Sequence, residues 1–254
     1  MVQAPGPVPP CRPGAPPIAL LVDFDGTIAR GDVTVAVMRA GLPAGRRLPW
    51  QEGSLLTWPE MMREAAARFP LDPGPLLAEA EAVPLDRSFA RLAATARAGG
   101  AAMEVVSDGF GFFIEPALRR LDAAWVPIAS GDTTFGPAGP RVAFPHGNPA
   151  CSVCGTCKRG RVLAHQAAGR RVVFVGDGES DRYAASYADV VFAKDGLVAI
   201  CREAGVAHRP WSTFDDVRRW LDEQLAAFEA DPASLPGPTV RPLSCGPEVW
   251  GPGG

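Results

Sequence analysis

Ile18-Ala19-Leu20-Leu21-Val22-Asp23-Phe24-Asp25-Gly26-Thr27 runs from five consecutive apolar residues straight into two aspartates and a glycine. A short, unbroken apolar run bounded by turn residues is the pattern of a strand covered on both faces, as in a parallel sheet. Alternate residues of an extended chain share a face, so Asp23 and Asp25 leave the strand's C-terminal end in the same direction. Two carboxylates so placed can divide labour, one attacking and the other moving protons. Asp and Gly are also common turn formers, so this stretch gains its weight from its companions.

Outward from this strand, similar runs occur at Met103–Ser107, Trp125–Ala129, Val172–Gly176 and Val190–Ala193. Helical periodicity marks Arg87–Ala98, Pro116–Leu121, Arg159–Ala168, Ser180–Tyr187 and Leu197–Ala204. Ser212 reads as the N-cap of a helix over Thr213–Glu229, with Asp215 and Asp216 in its first turn. The alternation predicts an α/β fold with a doubly wound, Rossmann-like parallel sheet. One interval is too long. A βαβ unit takes about 30 residues, yet roughly 80 separate the first two runs. The surplus predicts a small helical cap at 32–85, inserted after the first strand of a core formed by 18–31 and 86–229. Its Trp50, Trp58, Met61, Met62 and Phe69 either line a pocket or form the cap's own core. The Pro/Gly-rich ends, 1–17 and 230–254, read as disordered tails.

Composition narrows the function. The formal net charge is −3, too little positive charge for a nucleic-acid or anionic-membrane partner. No run of about 18 apolar residues suggests a membrane span. The first residues lack the basic start and apolar stretch of a secretory signal, so a cytoplasmic location is expected, with reduced cysteines. Nothing in the sequence sets an oligomeric state. Arginine carries nearly all the positive charge: Lys158 and Lys194 are the two lysines among 25 basic residues. A retained lysine is therefore a hint of a specific need.

Three further polar clusters follow the apolar runs, where open α/β sheets place ligands. Ser107-Asp108-Gly109 offers a hydroxyl and backbone N–H groups able to cradle a phosphate, although the same residues make ordinary loops. Lys158, at a helix start, would neutralise phosphate oxygens and a carboxylate nucleophile. Gly176-Asp177-Gly178-Glu179-Ser180-Asp181 supplies aspartates suited to a hard cation with oxygen ligands, or to capping a helix. Mg²⁺ takes one or two carboxylates beside substrate phosphate, which Asp23, Asp177 and one backbone carbonyl would satisfy.

Asp23-Phe24-Asp25-Gly26-Thr27, Ser107, Lys158 and Gly176-Asp177 with Asp181, in this order, resemble the motif set of the haloacid dehalogenase superfamily in its phosphatase branch. The phosphoserine-phosphatase-like group is the nearer resemblance, with the cap in the position usual there. That resemblance implies a phosphoric monoester hydrolase acting on a small phosphorylated metabolite. It implies Asp23 as nucleophile and Mg²⁺ ligand, and an aspartyl-phosphate intermediate. Asp25 would be general acid and base, and bind Mg²⁺ through its backbone carbonyl. Ser107, with Asp108 and Gly109, and Lys158 would hold phosphate. Asp177 would bind Mg²⁺, and Asp181 would orient a metal-bound water or Lys158. Phe144-Pro145-His146, the Cys151–Lys158 run and Asp189–Asp195 are similar to the 2-hydroxy-3-keto-5-methylthiopentenyl-1-phosphate phosphatases. Ser107-Asp108 is more similar to phosphoethanolamine and phosphocholine phosphatases.

Smaller signals carry two readings each. Asp32 either caps a helix at Val33–Met38 or meets a cationic or hydroxylated substrate, as an acidic residue at this spacing does in phosphoserine phosphatases. Cys151, Cys154 and Cys157 with His146 could hold a structural Zn²⁺ or stand as thiols. His165 and His208 read as structural. A phosphotransferase built on the same Asp23 adduct, and a non-catalytic phosphate-binding protein, are the competing functions.

Overall fold

The computed structural model describes residues 8–42, 48, 56–148, 151 and 153–239. A seven-stranded sheet has the order β4-β3-β2-β1-β5-β6-β7. Its strands are β1 (Ile18–Val22), β2 (Ala102–Phe110), β3 (Ile128–Gly136), β4 (Gly139–Ala143), β5 (Arg171–Gly176), β6 (Val190–Ala193) and β7 (Arg209–Pro210). All pairings are parallel except β3 with β4. Strand β1 lies at the centre, between β2 and β5, so the chain leaves it in one direction and returns on the other side. The crevice that opens at such a switch point is where ligands bind in open α/β sheets.

Both faces of β1 are covered because all five of its residues are apolar and fully buried. Ile18, Leu20 and Val22 face helices α4 (Ser88–Ala98), α5 (Gly111–Arg120) and α9 (Phe214–Ala230), with Phe89, Leu92, Ile114, Phe214 and Trp220 in the same cluster. Ala19 and Leu21 face the other way, toward α6 (Lys158–Ala167), α7 (Arg182–Ala185) and α8 (Asp195–Glu203). Burying each large aliphatic side chain there contributes about 1.5–3 kcal/mol.

Helices α1 (Val33–Gly41), α2 (Trp58–Ala66) and α3 (Gly74–Ala82) occupy the stretch between β1 and β2. The two ends of that stretch leave the sheet side by side. Ala29 bridges Leu85, and Asp86 N–H donates to the Ile28 carbonyl at 2.8 Å. Met62, Ala66, Phe69 and Leu76 are buried, and Phe69 meets Phe110 edge-on with ring centres 5.1 Å apart. Trp50 lies outside the described residues.

Two expectations need correction, and one element was not foreseen. The strand foreseen at Trp125–Ala129 begins at Ile128 and runs on to Gly136. Pro127 has no N–H to donate; its carbonyl accepts from Val105 instead, and pairing with β2 starts at Ile128. The antiparallel β3–β4 hairpin was not foreseen, since its Gly136-Pro137-Ala138-Gly139 turn reads as loop. The last helix is capped by Thr213 rather than Ser212, the Asp216 carboxylate accepting from the N–H groups of both.

Parts of both chain ends are placed. Arg170 donates to the Pro9 carbonyl at 2.6 Å, Pro16 is buried, and Leu235 joins the core. Residues 1–7 and 240–254 lie outside the described residues. No described helix is long and apolar enough to cross a membrane.

Candidate active site

Asp23 follows β1 and keeps the ladder going, its N–H donating to the Val175 carbonyl at 3.0 Å. The chain then turns through Gly26 at φ +70°. A Cβ at Gly26 would lie 2.1 Å from Asp177 Oδ2, so only glycine lets this turn close on the loop after β5. Thr27 Oγ1 donates to Asp177 Oδ1 at 3.0 Å, fixing the second loop against the first.

Lys158 begins α6 and is buried at 3% exposure. Its ammonium donates to Asp23 Oδ1 at 2.6 Å, Asp181 Oδ1 at 2.7 Å and Ser180 Oγ at 2.9 Å, using all three protons. The other oxygen of Asp181 accepts from the N–H groups of Asp177 at 2.9 Å and Gly178 at 3.2 Å. Asp181 is thereby committed on both sides as an orienting group. Carboxylate oxygens of Asp23, Asp177 and Asp181 lie within 4.8 Å of one another.

One ammonium facing three carboxylates leaves two negative charges unbalanced. Burial, then the Asp181 charge, push the Asp23 carboxyl well above the usual carboxylate range, with Lys158 opposing them. Burial and Asp181 also raise Asp177. Burial would lower the Lys158 ammonium, but Asp181 and Asp23 outweigh it and hold the amine protonated. This donor set, oxygen-only with surplus negative charge, fits a hard divalent cation between Asp23 and Asp177.

Asp25 is turned toward the start of α1. Its Oδ1 accepts from Val33 N–H at 2.8 Å, and its Oδ2 from Thr34 Oγ1 at 2.6 Å. Burial and the nearby Asp32 raise its carboxyl to about 7. Ser107 Oγ accepts from Gly109 N–H at 3.0 Å. A Cβ at Gly109 would lie 2.2 Å from Thr34 Oγ1, so glycine is what allows α1 to approach this loop. Asp108 lines the same cavity as Ser107, and its Oδ1 accepts from Thr156 N–H at 2.6 Å. Its carbonyl accepts from Trp58 Nε1 at 3.0 Å, tying α2 to the core. These groups share one cavity of about 450 Å³, with Asp23, Asp25, Ser107, Lys158 and Asp177 in its wall. Asp32, Trp58, Val153, Glu179, Arg182 and Tyr183 line it too. Asp32 also caps α1, accepting from Val35 N–H at 2.7 Å.

The zinc expectation is not upheld. Among the described residues, Asp23, Asp177 and Asp181 form the one group of three or more candidate ligands that converge; His146, Cys151, Cys154 and Cys157 do not. Cys157 Sγ instead accepts from Gly160 N–H at 3.3 Å as the cap of α6. Burial, then the nearby Asp108 carboxylate, push the Cys154 thiol far above its usual range.

The profile of the haloacid dehalogenase-like hydrolases matches residues 20–186. The chain belongs to this family. A 2-hydroxy-3-keto-5-methylthiopentenyl-1-phosphate phosphatase of Exiguobacterium sibiricum is 30% identical over 208 residues, 79% of this chain and 94% of that protein. One of the same name from Brevibacillus brevis is 30% identical over 81% of this chain and 96% of its own. Among solved structures, a probable phosphoserine phosphatase from Vibrio cholerae superposes with a TM-score of 0.62 at 19% identity, over 84% of this chain and 67% of that one. An aspartyl-phosphate analogue complex of phosphoserine phosphatase superposes at 0.57 with 14% identity, over 81% of this chain and 99% of that one. At such identities the structural likeness is one of fold. This haloacid dehalogenase-like hydrolase is a phosphoric monoester hydrolase.

Sequence reasoning placed Thr27 and Ser180 within motifs without giving them a role, and it missed Thr34 and Glu104. Of the two missed residues, Glu104 carried a signal: a charge inside the apolar run Met103–Val106.

Proposed function

We propose that this phosphatase hydrolyses a small phosphate monoester in two steps through Asp23, with Mg²⁺ as cofactor. The observation that carries the reading is Lys158 bound at once to Asp23 and Asp181 beside Asp177. An Asp23 carboxylate oxygen attacks phosphorus, and the bond from phosphorus to the leaving alcohol breaks. Asp25 gives its proton to that alcohol as an acid poised near neutrality. Water then attacks the aspartyl-phosphate, Asp25 takes its proton, and inorganic phosphate leaves. Lys158 holds Asp23 in place and balances phosphoryl charge, with Ser107 as a further phosphate ligand. Asp181 aims the ammonium. Asp23, Asp177 and the Asp25 carbonyl would hold Mg²⁺, which when bound neutralises phosphate oxygens and the crowded carboxylates.

The name shared by the 30%-identical relatives makes a methylthio-ketopentenyl phosphate the first substrate to test. The cavity suits it: Trp58, Val153 and Tyr183 offer apolar and aromatic surface to a thioether, beside polar Asp32 and Arg182. A second reading follows from Asp32 and Trp58 lining the same cavity. A carboxylate and an indole together suit a cationic head group such as phosphoethanolamine or phosphocholine.

The test is phosphate release with Mg²⁺ over the methylthio-ketopentenyl phosphate, phosphoserine, phosphoethanolamine, phosphocholine and sugar phosphates. The first should have the highest kcat/KM; preference for an amine-bearing ester would favour the second reading. Transfer to an added alcohol without phosphate release would make the chain a phosphotransferase. Asp23→Asn should lose about 10⁴-fold or more in kcat with the fold retained. Lys158→Arg should lose about 10²-fold, because a planar fork cannot replace a compact ammonium.

A further inference from the structure

The helix that delivers Lys158 is held to the sheet in an unusual way. Of the buried residues of α6, Val162 is the one large apolar side chain; the others include Lys158, Arg161, His165 and Gln166. Lys158, Arg161 and His165 stand at i, i+3 and i+7, on one side of the helix, and all three are buried. Apolar packing resists separation but is a poor ruler along the helix axis. Directional bonds measure that axis better.

The partner of Arg161 and His165 is Glu104, a buried charge near the start of β2 beside Leu21 of β1. Arg161 grips it with two bonds, Nη2 to Oε1 at 2.7 Å and Nε to Oε2 at 3.2 Å. His165 Nε2 lies 3.0 Å from Oε2. Three residues further along β2 stands Ser107, and three residues back along α6 stands Lys158. The buried triad therefore joins the two elements that present the phosphate-facing groups.

We propose that Glu104, Arg161 and His165 are positioning residues for phosphoryl transfer, locking α6 in the axial register that lets Lys158 reach Asp23. The inference rests on the role given to Lys158 above. A buried ion pair adds little net stability, because desolvation offsets most of the attraction; its attested use is to fix register. The tolerance here is small. A helix rises 1.5 Å per residue, and the three Lys158 bonds span 2.6–2.9 Å. Slippage by a fraction of one residue would lengthen them beyond use.

The test separates register from stability. Glu104→Met/Arg161→Met/His165→Leu replaces the triad with apolar groups of similar volume, which leaves melting temperature equal or higher. Its kcat should nonetheless fall by about 10–100-fold, KM should change less than kcat, and inhibition by orthovanadate should weaken alongside kcat. A folded triple variant with wild-type kcat and vanadate affinity overturns the inference. Arg161→Lys keeps the charge and loses the two-pronged grip, so it serves if the triple variant fails to fold. A lower kcat at unchanged melting temperature supports positioning, and wild-type kcat there overturns it. Lys158→Met is run in parallel. If it retains activity, the role of Lys158 falls and this inference with it; if it is inactive while the triple variant is fully active, this inference alone falls.

Discussion

Asp25 shows how a single carboxyl is prepared by its surroundings. Burial, then the charge of Asp32, raise it to about 7, against three hydrogen bonds from Val33 and Thr34 that favour its charged form. As a proton donor it must be protonated, so kcat/KM should decline as pH rises through about 7. Asp32→Asn removes one of the raising influences. The alkaline limb of the pH–kcat/KM profile should then move to lower pH, and a limb that stays put would unseat Asp25 as the acid. The charged residues at strand ends were legible in the sequence because their spacing follows from the period of a strand. Their partners were not. Thr34, Ser180 and Glu104 acquire meaning from elements that meet only in three dimensions, separated by 57 residues for Glu104 and Arg161. Asp108 illustrates the converse: its place in the motif was plain, but the hydrogen bonds from Gly155 and Thr156 that tie its carboxylate to the neighbouring loop were not.

At the scale of elements, α4 and α9 are clamped together on the sheet. Phe89 and Phe214 meet edge-on with ring centres 5.1 Å apart, and Arg91 grips Asp215 at the surface. The hydrogen bond from Arg91, helped by Arg218, holds Asp215 down at about 2. A depressed carboxyl stabilises the fold above its unfolded value, about 3.9, and loses that contribution as pH falls to the folded one. Asp215→Asn should therefore melt slightly earlier than wild type at pH 7 and together with it near pH 2. The gap should narrow in high salt, because the pair is exposed. A gap independent of pH would assign the effect to something other than charge. The order of strands and helices was readable from apolar runs and helical spacing. The β3–β4 hairpin was not, because Pro and Gly at its turn break the apolar alternation that announces a strand.

For the whole molecule, the site is a local electrostatic burden. Three carboxylates crowd one ammonium at the centre of the sheet's end. Chelation should abolish turnover, and Mg²⁺ should restore it and raise the melting temperature, as any ligand of the native state does. Asp177→Asn should be inactive with or without Mg²⁺. In chelator it should melt at or above the chelated wild type, since one repelling charge is gone. A lower melting temperature would mean that Asp177 serves the fold through Thr27 rather than a cation. The placement of the two lysines has a practical corollary. Lys158 is nearly fully buried in the cavity wall with its ammonium held by three acceptors, whereas Lys194 is half-buried with its ammonium 4.3 Å from the centre of the Trp211 ring. An amine-acylating reagent will therefore mark Lys194 in the native protein and reach Lys158 only when the centre opens. Mass spectrometry of tagged Lys158 over time becomes a stopwatch for that opening, and a cation seated between Asp23 and Asp177 should slow it.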